Sequence, residues 1–170
     1  MDQFCVSPIN ALSRAFCQEI DDALAQCQAA PEVRVVLLSS ALKHFCAGAD
    51  IAEMAGMSQA QAQADQFVGC VKTLADVSKP VLVAVNGLAA GGGCELVEMC
   101  DIVLAGESAR FSHPEITPAA TPGAGGMQRL ARVVGKHLAL DLLLTGRALS
   151  AQAALAAGLV SRVVSDAQLA

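Results

Sequence analysis

The chain has 170 residues, 54% hydrophobic and 16% charged, which suits one domain over residues 1–170 with a continuous core and excludes a disordered tail or a solvated coiled coil. Its formal net charge of −5 offers no cationic field for a phosphate backbone. Aromatics make up 3%, with no Trp and no Tyr, so stacking platforms for bases and the usual anchors of a membrane interface are missing, and no nucleic-acid or membrane partner is expected.

The first residues, MDQFCVSP, contain no basic segment leading into an apolar stretch, so no secretory signal is expected and a cytoplasmic address follows. Ile9, Leu12, Phe16, Ile20, Leu24 and Cys27 recur every three or four positions, which predicts an amphipathic helix from Ile9 to Cys27 with Ser7 and Pro8 at its start. Pro31 ends that pattern, and VRVVLLSS (Val33–Ser40) reads as an interior strand of a parallel sheet. A polar helix is expected over Ser58–Ala75, then a buried strand over Val81–Val85 and a turn at Asn86–Gly87. AAGGGCELVEMC reads as a glycine turn opening a short helix, and DIVLA (Asp101–Ala105) as a third strand. Such alternation indicates an α/β fold with parallel strands. Pro114–Gly126, with three prolines and three glycines, predicts a loop. Helices are then expected over Met127–Val134, Lys136–Leu144 and Ala151–Ala157, with LVSRVV as a late strand.

Several chemistries fail on spacing. G-x-G-x-x-G would need glycine where Leu96 or Gln128 stands, and a phosphate loop ending at Gly135–Lys136 would need glycine at Leu130 and a hydroxyl at His137. No G-x-S-x-G elbow is present, and His44, His113 and His137 sit at no metal-ligand spacing. The seven cysteines are scattered without a C-x-x-C pair, as expected of free thiols in a reducing compartment.

Three segments combine turn glycines with polar residues that a core would not choose: HFCAGADI (His44–Ile51), NGLAAGGGCELVEMCD (Asn86–Asp101) and FSHPEITPAATPGAGGMQRL (Phe111–Leu130). Each follows a predicted strand, where open α/β sheets place their sites. Together with KPVLVAVNG and TGRALSAQAALAAGLVSRVV, in this order, they resemble the signature blocks of the enoyl-CoA hydratase/isomerase (crotonase) family over about Asn10 to Val164. The resemblance implies a ClpP/crotonase-like spiral of ββα units, a trimer or dimer of trimers, an acyl-CoA thioester as substrate and no cofactor beyond the coenzyme A within it. Family members carry additional strands before Asn10 and helices well past Val164, so the chain is expected to be truncated at both ends and to lack the C-terminal helical region.

An enolate-like oxyanion formed from a thioester needs two N–H donors aimed at its oxygen, and glycine-held backbone supplies them economically. The resemblance assigns these donors to the amides of Ala49 and Gly92. Adding water to a conjugated double bond needs one group to activate the water and one to protonate the α-carbon, tasks that paired carboxyls perform. Glu95 and Glu115 coincide with the family's two catalytic glutamates, Glu95 for the water and Glu115 for the proton to C2. By resemblance, Ala47, Asp50, Ile51, Leu88, Pro114 and Gly123 line the CoA or acyl site, and Lys43 meets a phosphate. No residue is assigned to a metal.

The chain departs from the family at Glu98, usually apolar and here expected to face solvent, and at Pro118, Ala119 and Ala120. His113 stands open to a hydrogen-bonding role in the pocket or a plain loop role. The expected activity is that of an enoyl-CoA hydratase, syn addition of water to trans-2-enoyl-CoA giving 3-hydroxyacyl-CoA. The alternatives are another acyl-CoA isomerase or hydrolase of the family, or a non-catalytic chain that binds acyl-CoA.

Overall fold

The first helix starts at Ser13, whose hydroxyl accepts the Phe16 amide at 3.2 Å. Helix α1 then runs over Arg14–Ala29 and buries Phe16, Cys17 and Leu24. The expected start at Ile9 is corrected by Asn10, whose φ of 51° cannot enter a helix. Its side chain instead donates to Ser40 Oγ and to the Phe45 carbonyl, both at 2.9 Å, and Ala11–Leu12 becomes strand β1. A computed structural model describes residues 9–55 and 70–169; Ser7 and Pro8 lie outside them. At the other end of α1, Lys79 Nζ donates to the Cys27 and Ala30 carbonyls, each at 2.6 Å, and so satisfies groups that a helix end leaves open.

Four parallel strands form the main sheet: β2 (Val36–Ser39), β4 (Val81–Val85), β6 (Ile102–Gly106) and β9 (Arg162–Val164), in the order β2-β4-β6-β9. Val83 pairs with Leu38 on one side and Val103 on the other. It is 0% exposed, the burial on both faces that the apolar run implied.

Shorter strands make two smaller sheets. β3 (Gly48–Ala49) pairs with β1, while β5 (Leu88–Ala90), β7 (Arg110–Ser112) and β8 (Leu149–Ser150) form a set of three in which β8 runs antiparallel. Two ββα units follow one another: β4, β5 and helix α4 (Gly92–Val97), then β6, β7 and a 3₁₀ turn (Pro114–Ile116) leading to helix α5 (Gly126–Val134). In each unit the first strand enters the main sheet and the second the small one, which is how the expected spiral arises.

The remaining helices are α2 (Ile51–Met54), α3 (Cys70–Asp76), α6 (Lys136–Thr145), α7 (Ala151–Ala156) and α8 (Asp166–Leu169). Of the polar helix expected over Ser58–Ala75, the part before Cys70 lies outside the described residues. Gly135 and Gly146 bound α6 with φ of 80° and 67°, values that glycine adopts without strain. Cys17, Cys46 and Cys94 are buried and Cys27 and Cys100 half-buried, all five as free thiols.

Candidate active site

The parallel pairing of β5 with β7 puts Ala90 opposite Ser112, and the Gly91 N–H donates to the Ser112 carbonyl at 2.9 Å. Each strand leads straight into a site element: β5 into α4, which carries Glu95, and β7 into His113 and the 3₁₀ turn, which carries Glu115. Both glutamates are thereby referred to Gly91. Its carbonyl accepts the Glu95 N–H at 2.9 Å, and a Cβ on it would lie 3.1 Å from Glu115 Oε1. At φ 52° and ψ −125°, Gly91 holds a conformation that an L side chain resists.

Glu95 is 2% exposed, and its Oε1 accepts the amides of Ala124 and Gly126, both at 2.8 Å. Oε2 carries no hydrogen bond among the described residues. Burial raises the carboxyl above its ordinary value, the two amides pull it back, and the Glu115 charge raises it further. A carboxyl so held is oriented by one oxygen and keeps the other for a proton. The Glu115 side chain is 16% exposed, with Oε1 3.7 Å from His113 Nδ1 and Oε2 buried without a partner.

The amides of Ala49 and Gly92 come together where β3 passes α4. A Cβ on Gly48 would lie 3.1 Å from Gly92 N and 2.7 Å from the Ala90 carbonyl, and one on Gly92 would lie 3.7 Å from Ala49 N. Only glycine at 48 lets the two backbones approach this far, and it is needed there for φ 91° as well, while a Cβ on Gly92 would press on Leu12 Cδ1 at 3.1 Å. The segment is tied to β5 by Cys46 N–H to Leu88 O at 3.1 Å and Ala90 N–H to Cys46 O at 3.0 Å.

Ala47, just before β3, and Leu88, at the start of β5, lie half-buried, and Pro114 opens the 3₁₀ turn that bears Glu115. Gly123 is exposed, immediately before the Ala124 amide that holds Glu95. Ile51 is 76% exposed. Asp50 caps α2, its Oδ1 accepting the amides of Ala52 at 2.9 Å and Glu53 at 3.3 Å. Lys43 is not gathered with the glutamates: it lines a separate cleft with Asn86, Ser108 and Asp166. An apolar cavity of about 420 Å³ between α1 and β2 likewise contains none of the candidate site residues.

Glu98 corrects the expectation that it faces solvent. Its side chain is 0% exposed and its Oε1 lies 2.7 Å from His113 Nε2. The histidine is itself 1% exposed and hydrogen-bonds inside the site, which decides between its two open roles. Glu98 caps the C-terminal end of α4, whose residues Gly92–Val97 are all buried, and His113 supplies the partner that burial of its carboxyl demands. Burial raises Glu98, partly offset by its bond to His113. Burial also pulls His113 down, but Cys94, Glu115 and Glu98 outweigh it and push the ring up to about 12. The Cys94 thiol is pushed up to about 11, chiefly by burial. One ligand atom each of Cys94, Glu98 and His113 lies within 4.8 Å of the others, metal-like spacing that the histidine spacing in sequence did not show. The 2.7 Å bond between two of them accounts for it.

Residues 6–170 match the model of the enoyl-CoA hydratase/isomerase family. The chain is 47% identical to the mitochondrial enoyl-CoA hydratase of Pongo abelii over 91% of its own length and 53% of the relative's. It is 44% identical to the 2,3-dehydroadipyl-CoA hydratase of Escherichia coli over 91% of its length and 60% of the relative's. The chain thus spans less than two thirds of these relatives. A crystal structure of an enoyl-CoA hydratase subunit from Geobacillus kaustophilus superposes with a TM-score of 0.90 at 41% identity, covering 94% of this chain and 62% of that one. The motifs, the spiral of ββα units and these matches agree, and the chain belongs to the enoyl-CoA hydratase/isomerase family.

Proposed function

We propose that this chain carries the active site of an enoyl-CoA hydratase, adding water syn across a trans-2-enoyl-CoA to give 3-hydroxyacyl-CoA. The observation that carries this reading is a buried carboxyl, Glu95, held by two amides through a single oxygen and close enough to the half-buried Glu115 carboxyl to feel its charge. In this mechanism Glu95 Oε2 takes a proton from water while the hydroxyl adds to C3. Electron density passes to the thioester oxygen, where the N–H groups of Ala49 and Gly92 receive it, and Glu115 gives its proton to C2. One proton has then moved from Glu115 to Glu95, and exchange with solvent restores the pair. An oxyanion donor of this kind is worth about 3 to 4 kcal/mol, and acid–base help roughly 10² to 10⁴ in rate.

Ala47, Leu88, Ile51 and Pro114 are the residues we assign to the acyl and CoA contacts, with Asp50, Gly123 and Lys43 at the periphery. The exposed Leu140 and Leu144 support burial between copies of the chain, as a trimer or dimer of trimers. Free thiols support a reducing, cytoplasmic setting.

The test is to incubate the folded protein with a crotonyl thioester and follow loss of the conjugated absorbance, with mass analysis of the product. Gain of one water supports the hydratase. A shifted double bond without added water would replace it with an isomerase, and binding without turnover would defeat any catalytic reading.

A further inference from the structure

Around His113 the structure leaves three buried polar atoms without a hydrogen-bond partner: Glu98 Oε2, His113 Nδ1 and Glu115 Oε2. Nothing in the water-adding mechanism uses Glu98 or His113, yet burying a carboxyl and an imidazole side by side is expensive and demands mutual compensation. The two side chains are 0% and 1% exposed, and their 2.7 Å contact is in the range of a charge-assisted N–H···O bond. With Nε2 turned to Glu98, the other ring nitrogen points to Glu115 Oε1 at 3.7 Å.

We propose that Glu98 and His113 form an ionised positioning pair for Glu115. Glu98 fixes the ring and holds a proton on Nε2, so that Nδ1–H faces the Glu115 carboxyl. Resting on the hydratase reading, the consequence is that the carboxylate left when Glu115 protonates C2 meets a donor already in place. No other bond changes. Among the described residues, the titratable groups that act on this trio are Cys94 and Glu95 on α4, Glu98 at the end of that helix, and Arg129 on α5, which acts on Glu98. On α6, the other helix against the 3₁₀ turn, Asp141 is engaged by Arg147. Among the described residues, His113 is thus the basic side chain that comes within 4 Å of the Glu115 carboxyl, and in the proposed pair its charge depends on Glu98.

The first test needs no substrate. In ¹⁵N-histidine-labelled protein at pH 7, both ring nitrogens of His113 are expected to carry protons. A ring that is neutral at pH 7 overturns the proposal, as does a stoichiometric shift of its resonances on adding zinc ion alone, which would make the cluster a metal site. In Glu98→Gln the ring is expected to become neutral. Glu115→Gln is expected to move the Nδ1 resonance and leave Nε2 nearly in place; no movement in Nδ1 refutes the link to Glu115.

The second test is kinetic. His113→Gln is expected to lower kcat by about 10- to 100-fold, the scale on which outer-shell partners act, with KM changed less than threefold and the pH profile of kcat displaced. Glu98→Gln should act in the same direction, and the double variant should be no worse than His113→Gln alone. A folded His113→Gln with wild-type kcat and an unmoved pH profile refutes the positioning role. A wild-type chain that hydrates nothing, while its His113 signals behave as described, defeats the hydratase reading and leaves the pair standing.

Discussion

Replacing Glu95 by Gln and by Ala separates the two jobs of that side chain. Its Oε1 accepts two amides at 2.8 Å, from Ala124 and Gly126. Gln keeps a carbonyl oxygen for both, exchanging charge-assisted bonds for neutral ones while relieving the cost of a buried charge, so the two changes oppose and net stability should move by less than about 1 kcal/mol. Gln cannot take a proton from water, and kcat/KM should fall by roughly 10² to 10⁴, about 3 to 5 kcal/mol of transition-state stabilisation. Ala removes the acceptor altogether and strands two amides at a buried spot. At about 1 to 3 kcal/mol each this is roughly 2 to 6 kcal/mol of lost stability, or a fall in Tm of about 5 °C or more for a chain of this size. Thermal unfolding followed by circular dichroism, beside crotonyl-thioester turnover, reads both quantities. The reasoning is refuted if the Gln variant keeps more than about a tenth of wild-type kcat/KM, a loss below the acid–base range, or if the Ala variant is as stable as the Gln variant.

Three further outcomes are expected. Because His113 is pushed from 6.5 up to about 12, the folded chain keeps a proton that the unfolded chain loses above about pH 6.5. The resulting stability is therefore full below that pH and declines as pH rises toward the folded value, by up to about 1.4 kcal/mol per pH unit. Glu98, raised above 4.5, acts with the same sign. Urea unfolding at pH 6.5 and 8.5 should accordingly show wild type losing roughly 1 to 2 kcal/mol relative to His113→Gln, and parallel curves would exclude this. A Cβ on Gly93 would sit 2.4 Å from the Cys46 carbonyl oxygen and 2.8 Å from Cys46 Cβ. Gly93→Ala should therefore cost about 1 to 3 kcal/mol or more by overpacking, visible as a lower urea midpoint, and an unchanged midpoint would contradict the close approach. Ala119 has φ 54°, so Ala119→Gly should remove about 1 to 2 kcal/mol of left-handed strain against a smaller loss of chain entropy. Calorimetry should find Tm raised by a few degrees.

The sequence spoke most clearly where one physical requirement dominated. Val81–Val85 was readable to the residue because a strand buried on both faces must be apolar throughout, and α6 to within one residue because Gly146 stops it just after Thr145. Strands of two or three residues such as β1, β3 and β7 are too short to show any period, and they emerge from pairing with distant segments. The helix start was misplaced because Asn10 is set by Phe45, 35 positions on. Glu98 was misread for the same kind of reason. A rule that sends glutamate to water holds until a partner 15 positions away enters the same enclosed space, and no local pattern announces that meeting. The carboxyl pair and the glycine-held amides were legible only because several motifs occur together in one order. What brings them within reach is the ladder between β5 and β7.

That ladder also governs which insertions and deletions the chain can absorb. A residue gained in the Glu107–Ala109 hairpin-like link ahead of β7 would lengthen a surface bend and leave the paired register, and so the spacing of the two acids, intact. A residue gained between Gly91 and Glu95 would turn the helix by about 100° per position and carry the carboxyl out of reach of its two amides. Length variation in this part of the fold should therefore collect upstream of the ladder and be purged just beyond it.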